Sequence, residues 1–156
     1  MEIYDITIIG AGPVGMFAAF YAGMRQAKTK IIDSLPQLGG QLATLYPEKY
    51  IYDIPGYPAV KASDLVANLE KQLTTFNHSF HLNEEVLSIT KEDEIIEITT
   101  TKGIHYSKAV ILTLGSGSFQ PRKLNVPEAT TYEHHGLDYF VNDLMKYAGK
   151  KVAIAG

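Results

Sequence analysis

Near the amino terminus the apolar positions fall at Ile3, Ile6, Ile8 and Ile9, with Tyr4 and Thr7 between them, and the run stops at Gly10. A short β-branched and aromatic segment bounded by glycine predicts a buried parallel strand. From Val14 to Arg25 the apolar and small residues Met16, Phe17, Ala18, Ala19, Phe20, Tyr21 and Ala22 predict a helix that is nonpolar on nearly every side, as suits one packed on a sheet. Pro13 fits its first turn, where the missing N–H costs nothing. Thr29 to Asp33 is a second short strand, so residues 3–33 read as one β-α-β unit.

Residues 34–60 hold Pro36, Gly39, Gly40, Pro47, Pro55, Gly56 and Pro58 among Tyr46, Tyr50, Tyr52 and Tyr57, which predicts a long loop ordered by its aromatics. Leu65, Leu69, Leu73 and Phe76 then recur at helical spacing from Lys61 to Phe76, with Glu70 and Lys71 on the wet side. After that the period changes. Phe80 and Leu82, then Val86, Leu87 and Ile89, then Ile95, Ile96 and Ile98 alternate with polar residues between acidic or glycine-containing turns, as in an antiparallel meander. Ala109 to Leu114 returns to a continuous apolar run ending at Gly115, the pattern of another central strand. Asp138 to Tyr147 reads as a short helix and Lys150 to Gly156 as a strand.

Composition narrows what such a chain can do. The 156 residues contain no cysteine, which removes disulfides, thiolate nucleophiles, Cys-ligated zinc and dithiol redox chemistry from this segment. A net charge of -3 gives no bulk attraction to nucleic acid or anionic lipid, so neither is expected as a partner. Glu2 and Asp5 stand where an export signal would carry positive charge, and Ile6 to Met24 is interrupted by three glycines by position 15 and a proline at 13. A cytoplasmic protein without a membrane span is the expectation.

Gly10-Ala11-Gly12-Pro13-Val14-Gly15 matches G-x-G-x-x-G between a strand and a helix. The first glycine permits the tight turn, the second lets the backbone approach a pyrophosphate, and the third allows close helix-to-strand packing. The helix start offers free N–H groups and partial positive charge to phosphates. Asp33 ends the second strand 18 residues after Gly15, where an acid accepts hydrogen bonds from ribose hydroxyls and repels a 2′-phosphate. An adenine dinucleotide without that phosphate, FAD or NAD, is implied; a turn or helix cap ahead of Ser34 is the plainer role for Asp33. His134 and His135 are neighbours that point apart with no third ligand spaced to join them, so an exposed loop and no metal site is expected. Glu84, Glu85, Glu92, Asp93, Glu94 and Glu97 read as the solvated turns of the meander.

Gly39-Gly40-Gln41-Leu42, Leu45-Tyr46-Pro47-Glu48-Lys49, Asp53-Ile54-Pro55-Gly56-Tyr57-Pro58 and Phe119-Gln120-Pro121-Arg122-Lys123-Leu124 resemble the ferredoxin-NADP reductases of the thioredoxin reductase-like type. The resemblance covers the whole chain. It implies an α/β fold class, a Rossmann-like FAD-binding domain with a parallel sheet and an antiparallel β-meander in a three-layer ββα arrangement. By position it implies FAD contacts at Gly10, Gly12, Pro13, Gly15 and Asp33, with Gly40, Gln41 and Tyr46 toward the flavin, Val86 meeting the adenine through its backbone, and Gly115 and Phe119 beside the cofactor. The family turn Ala-x-Gly is replaced here by Leu114-Gly115-Ser116-Gly117.

The resemblance further implies residues 1–118 as the first part of the FAD domain and 119–156 as a linker and the first strand of an NADPH domain, cut short. The intact protein would be a homodimer passing electrons from NADPH through FAD to ferredoxin or flavodoxin, with no side-chain acid or base in this portion. A thioredoxin reductase relative without its dithiol, and a stand-alone adenine-dinucleotide-binding module, are the other readings.

Overall fold

The computed structural model describes residues 2–117, 123–133, 135–139, 141 and 144–155. The chain divides into two compact units, Met1–Phe119 and Gln120–Gly156.

The first unit is built on the expected β-α-β unit. Strand β1 (Ile3–Ile9) pairs in parallel with β2 (Thr29–Ile32), Ile8 opposite Ile31, and helix α1 (Pro13–Met24) crosses between them. Pro13 occupies the first turn of α1, as anticipated. Ile8, Met16, Ala19 and Ile31 are all fully buried in one cluster. Each large aliphatic side chain so buried contributes about 2 kcal/mol.

Residues 34–60 are more structured than a loop. They contain a short helix α2 (Gly40–Thr44) and strand β3 (Tyr50–Ile51), which pairs antiparallel with β4 (Val60–Lys61). Helix α3 (Ala62–Leu73) follows, ending one turn earlier than the Leu65, Leu69, Leu73, Phe76 spacing suggests. Phe76 lies past the helix end and packs on Phe20 of α1 with ring centroids 5.7 Å apart. Gly23 of α1 faces that ring: a Cβ there would stand 2.5 Å from Phe76 Cγ, so α1 and the α3 exit approach as closely as they do only over glycine.

The meander has different members from those the pattern suggests. β5 (Ser79–His81), which carries Phe80, pairs in parallel with β2 at the far edge of the sheet. The three meander strands are β6 (Val86–Glu92), β7 (Ile95–Thr100) and the first half of β8 (Ile104–Leu112), joined antiparallel. On its other side β8 pairs with β1 in parallel from Tyr106 onward, Ile8 opposite Ile111, giving the order β5-β2-β1-β8-β7-β6. The expected central strand at Ala109 to Leu114 is therefore the distal part of one nine-residue strand as far as Leu112, with Thr113 and Leu114 just past its end. The α/β class with a Rossmann-like parallel sheet and an antiparallel meander is borne out.

In the second unit, helix α4 (Ala129–Tyr132) precedes a bridge between Glu133 and Leu137. Among the described residues of the expected helix, Asp138, Tyr139 and Val141 are not helical, and a 3-10 turn, Leu144–Tyr147, occupies its end. The Asp138 carboxylate accepts a hydrogen bond at 2.6 Å from Tyr147 Oη. Residues 151–155 form no strand: Ile154 is 95% exposed, and without a neighbouring ladder an apolar run has nothing to define it as a strand. His135 is exposed as anticipated, and His134 lies outside the described residues. Among the described residues no helix is long and apolar enough to cross a membrane.

One half-buried histidine sets an expected pH response. His78 sits between Phe76 and Phe80, ring centroids 6.3 and 6.4 Å away, and among the described residues neither ring nitrogen has a partner. Burial pushes its pKa below the ordinary 6.5. The unfolded chain therefore binds a proton that the folded chain resists, and stability falls as pH drops below 6.5 until the folded value is passed. His78→Leu is expected to flatten this loss, read as the change in urea midpoint between about pH 5 and about pH 8. An unchanged acid sensitivity would assign the response elsewhere.

Candidate functional site

The carboxyl ends of β1, β2 and β8 open into a cleft of about 630 Å³, within the range of small-ligand sites. Its floor is the Gly10 turn. Gly10 has φ +104°, and a Cβ there would stand 2.8 Å from the Thr113 carbonyl carbon, so this tight turn needs glycine. Thr113, directly after β8, braces the turn from behind: its Oγ1 donates to the carbonyls of Ile9 at 3.0 Å and Gly10 at 2.8 Å. Gly12 is the N-cap of α1 with no capping side chain, and no acid occupies the first turn. The first N–H groups of α1 thus face the cleft with neither a side-chain cap nor a competing charge. No atom lies within 4 Å of the place a Gly12 Cβ would take, leaving the backbone open to close approach.

Asp33 stands just past the end of β2. Its Oδ2 accepts the Ala11 N–H and its Oδ1 accepts the Leu35 N–H at 2.8 Å, so the carboxylate ties the Gly10 turn to the segment after β2. It lines the cleft. The Gly39-Gly40 pair is explained by the same crowding. The Gly39 N–H donates to the Ala11 carbonyl at 2.8 Å, and a Cβ on Gly40 would lie 3.0 Å from Gly12 Cα. Both glycines have positive φ, and together they let α2 start against the Gly10 turn. Gln41, next in α2, donates through Nε2 to Ser116 Oγ and closes the cleft on that side.

Of the residues singled out from the sequence, the structure brings Gly10, Gly12, Pro13, Asp33, Gly40, Gln41, Val86 and Gly115 to the wall of this one cleft. Gly15 lies under the turn instead, where a Cβ would stand 2.7 Å from Thr113 Oγ1. Tyr46 is 46% exposed and outside the cleft lining, with Lys49 Nζ 5.3 Å from its ring centroid. Phe119 lies outside the described residues.

Thr113 and Glu84 were missed. Thr113 follows an apolar run that reads as ordinary strand, and nothing local marks its contact with a turn a hundred residues earlier. Glu84 corrects the reading of the acidic run as solvated turns: it is 3% exposed and lines the cleft. His105 Nε2 lies 2.7 Å from its Oε1, His81 Nδ1 lies 3.3 Å from its Oε2, and Thr100 Oγ1 donates to Oε1 as well. Burial raises the Glu84 pKa, but the hydrogen bonds from Thr100 and His105 outweigh it and hold the group below the usual carboxylate range. Burial, with Lys30 and His105 nearby, pushes His81 below its ordinary value.

The two imidazoles and the carboxylate have the donor types of a metal site. Lys30 decides against that use. Its Nζ lies 2.8 Å from His105 Nδ1, and an ammonium only donates, so Nδ1 accepts and the His105 proton sits on Nε2, pointing at Glu84. The lone pair a cation would need is taken, and a fixed positive charge stands behind the ring.

A family model described as pyridine nucleotide-disulphide oxidoreductase matches residues 53–156, and one described as an NAD(P)-binding Rossmann-like domain matches residues 8–63. The ferredoxin-NADP reductase of Enterococcus faecalis is 62% identical over 156 residues, 99% of this chain and 46% of that protein. Ferredoxin-NADP reductase 2 of Listeria monocytogenes is likewise 62% identical, over 99% of this chain and 47% of that protein. Among solved structures, thioredoxin reductase from Streptococcus pyogenes superimposes with a TM-score of 0.65 at 28% identity, covering 86% of this chain and 41% of that one. The chain spans about half the length of the curated relatives it matches.

Proposed function

Because this chain belongs to the pyridine nucleotide-disulphide oxidoreductase family, we propose that it is the FAD-binding portion of an NADPH-dependent flavoprotein oxidoreductase whose electron acceptor is ferredoxin or flavodoxin. The resemblance to ferredoxin-NADP reductases read from Leu45 to Lys49 and its companion segments is borne out by relatives at 62% identity. The observation that carries the proposal is the cleft itself, where an uncapped helix start, a glycine turn and a carboxylate at the end of β2 face one space.

In this reading the N–H groups at the start of α1 hold the pyrophosphate, and the carboxylate oxygens of Asp33, beyond their backbone bonds, accept from the adenosine ribose. Gly40 and Gln41 stand toward the flavin half, Val86 meets the adenine through its backbone, and Gly115 bounds the wall beside the cofactor. Bound FAD would supply hydride acceptance from NADPH and release of electrons singly, and the chain's own residues orient it. The absence of cysteine from these 156 residues means that the disulphide chemistry in the family's description has no thiol here. Residues 1–118 are the first part of the FAD domain, 119–156 lead toward an NADPH domain, and the intact protein is a cytoplasmic homodimer.

Titrating FAD into the 156-residue chain while following flavin fluorescence is expected to show weak, saturable binding that ADP displaces, with no sustained NADPH oxidation. No saturable FAD binding would overturn the cofactor assignment. Sustained turnover would overturn the view that the NADPH site lies elsewhere.

A further inference from the structure

The segment from His81 to Val86 is tied down far more heavily than a connection between two strands requires. On one side it grips Asp33: the Asp33 N–H donates to the His81 carbonyl at 2.9 Å and the Glu84 N–H donates to the Asp33 carbonyl at 2.9 Å. The Asn83 N–H reaches the Leu35 carbonyl at 2.9 Å, which requires Asn83 to hold φ +53°. On the other side the Glu85 carbonyl accepts the Thr101 N–H at 2.9 Å, next to Val86 at the start of β6. The segment thus joins the end of β2 to the start of β6 across one wall of the cleft.

The Glu84 side chain is what holds that bridge in place. Its carboxylate is buried and gathers donors from β5, β7 and β8 through His81, Thr100 and His105, and Lys30 of β2 backs His105. Three strands therefore converge on two oxygen atoms, with a fourth behind one of the donors. A buried carboxylate satisfied this fully costs little to keep and much to unpair, so it fixes one geometry for the backbone that carries it. The backbone it fixes contains both Asp33 contacts and the approach to Val86.

We infer that Glu84 is a positioning residue for the adenosine half of the cofactor, setting the spacing between Asp33 and Val86 without itself touching the reacting atoms. The inference rests on the FAD reading above and deepens it. Its consequence is selective: ligands that carry an adenosine group depend on Glu84, and flavins that lack one do not.

The test compares the wild-type chain with Glu84→Gln, which keeps the shape but puts a donor amide where His81 or His105 also donates. FAD, ADP and FMN are titrated into each, with thermal unfolding recorded on the same samples. Glu84→Gln is expected to weaken FAD and ADP by roughly tenfold while leaving FMN within about twofold. Thr100→Val, which removes one donor and leaves the charge, is expected to give a smaller change of the same selectivity. Equal loss for all three ligands, or none for any of them, overturns the inference and leaves Glu84 a structural group. If the wild-type chain binds FAD no better than FMN, the FAD reading itself fails and the positioning role falls with it.

Discussion

Replacing Gly15 with alanine is expected to lower the stability of the chain by about 3 kcal/mol, a fall in melting temperature of roughly 10 °C, because the new methyl group has nowhere to go. A Cβ on Gly15 would overlap the Gly10 carbonyl oxygen and lie 2.7 Å from Thr113 Oγ1. Both neighbours are fixed. The Gly10 N–H is bonded to the Ile32 carbonyl at 2.9 Å, and Thr113 is bonded by its backbone N–H to the Ile9 carbonyl at 2.9 Å, so the strand ends cannot retreat. Helix α1 must move off the sheet, parting Met16 and Ala19 from Ile8 and Ile31. Thermal unfolding followed by circular dichroism measures the effect. A melting temperature within a degree or two of wild type would show that the contact between α1 and the Gly10 turn is looser than the structure gives.

Gly12→Ala is expected to do the opposite: to leave the melting temperature unchanged and to weaken FAD by roughly a hundredfold. Gly12 has φ −68° and ψ 179°, extended backbone that any residue adopts, and no protein atom lies within 4 Å of its would-be Cβ. The methyl group projects into the space over the helix start, where the proposed pyrophosphate would need to reach the N–H groups. Glycine at this position therefore answers to the ligand and not to the fold. Fluorescence titration with FAD, alongside unfolding of the same variant, separates the two. A Gly12→Ala chain that binds FAD as tightly as wild type would place the pyrophosphate away from the turn.

The two glycines are indistinguishable as letters in a G-x-G-x-x-G motif, and the sequence argument gives each its role only by analogy with the general turn. Their different surroundings come from Thr113, which reaches the turn through the pairing of β8 with β1. Asp33 was legible for the same reason as the motif: a strand end 18 residues past the last glycine is a local feature of one β-α-β unit. Its bonds to the Ala11 and Leu35 N–H groups were not, since they depend on how tightly the turn folds back on β2. Gly39 and Gly40 were recognised by resemblance, and the close approach to Gly12 supplies the physical cause that the resemblance lacked.

The meander shows where alternation stops being informative. Phe80 and Leu82 alternate as a meander strand would, yet β5 pairs in parallel with β2, because three residues have no way to encode which edge they join. Likewise the apolar run from Ala109 shows only part of β8, which lies between two partners, antiparallel to β7 over 104–107 and parallel to β1 over 106–112. Glu84 failed in the other direction. An acid among acids is solvated by default, and only the convergence of β5, β7 and β8 buries it with donors enough to stay charged.

The sequence by itself determined the β-α-β unit, its glycine turn, the acid that ends β2 and the amphipathic helix α3, because each is written in spacings of a few residues that the backbone geometry of one strand or one helix makes unambiguous. The tertiary structure alone decided which strands adjoin, which of two similar glycines bears the packing, and that Glu84 of the acidic run is buried, because those depend on contacts between residues up to about a hundred positions apart, and no local period records them.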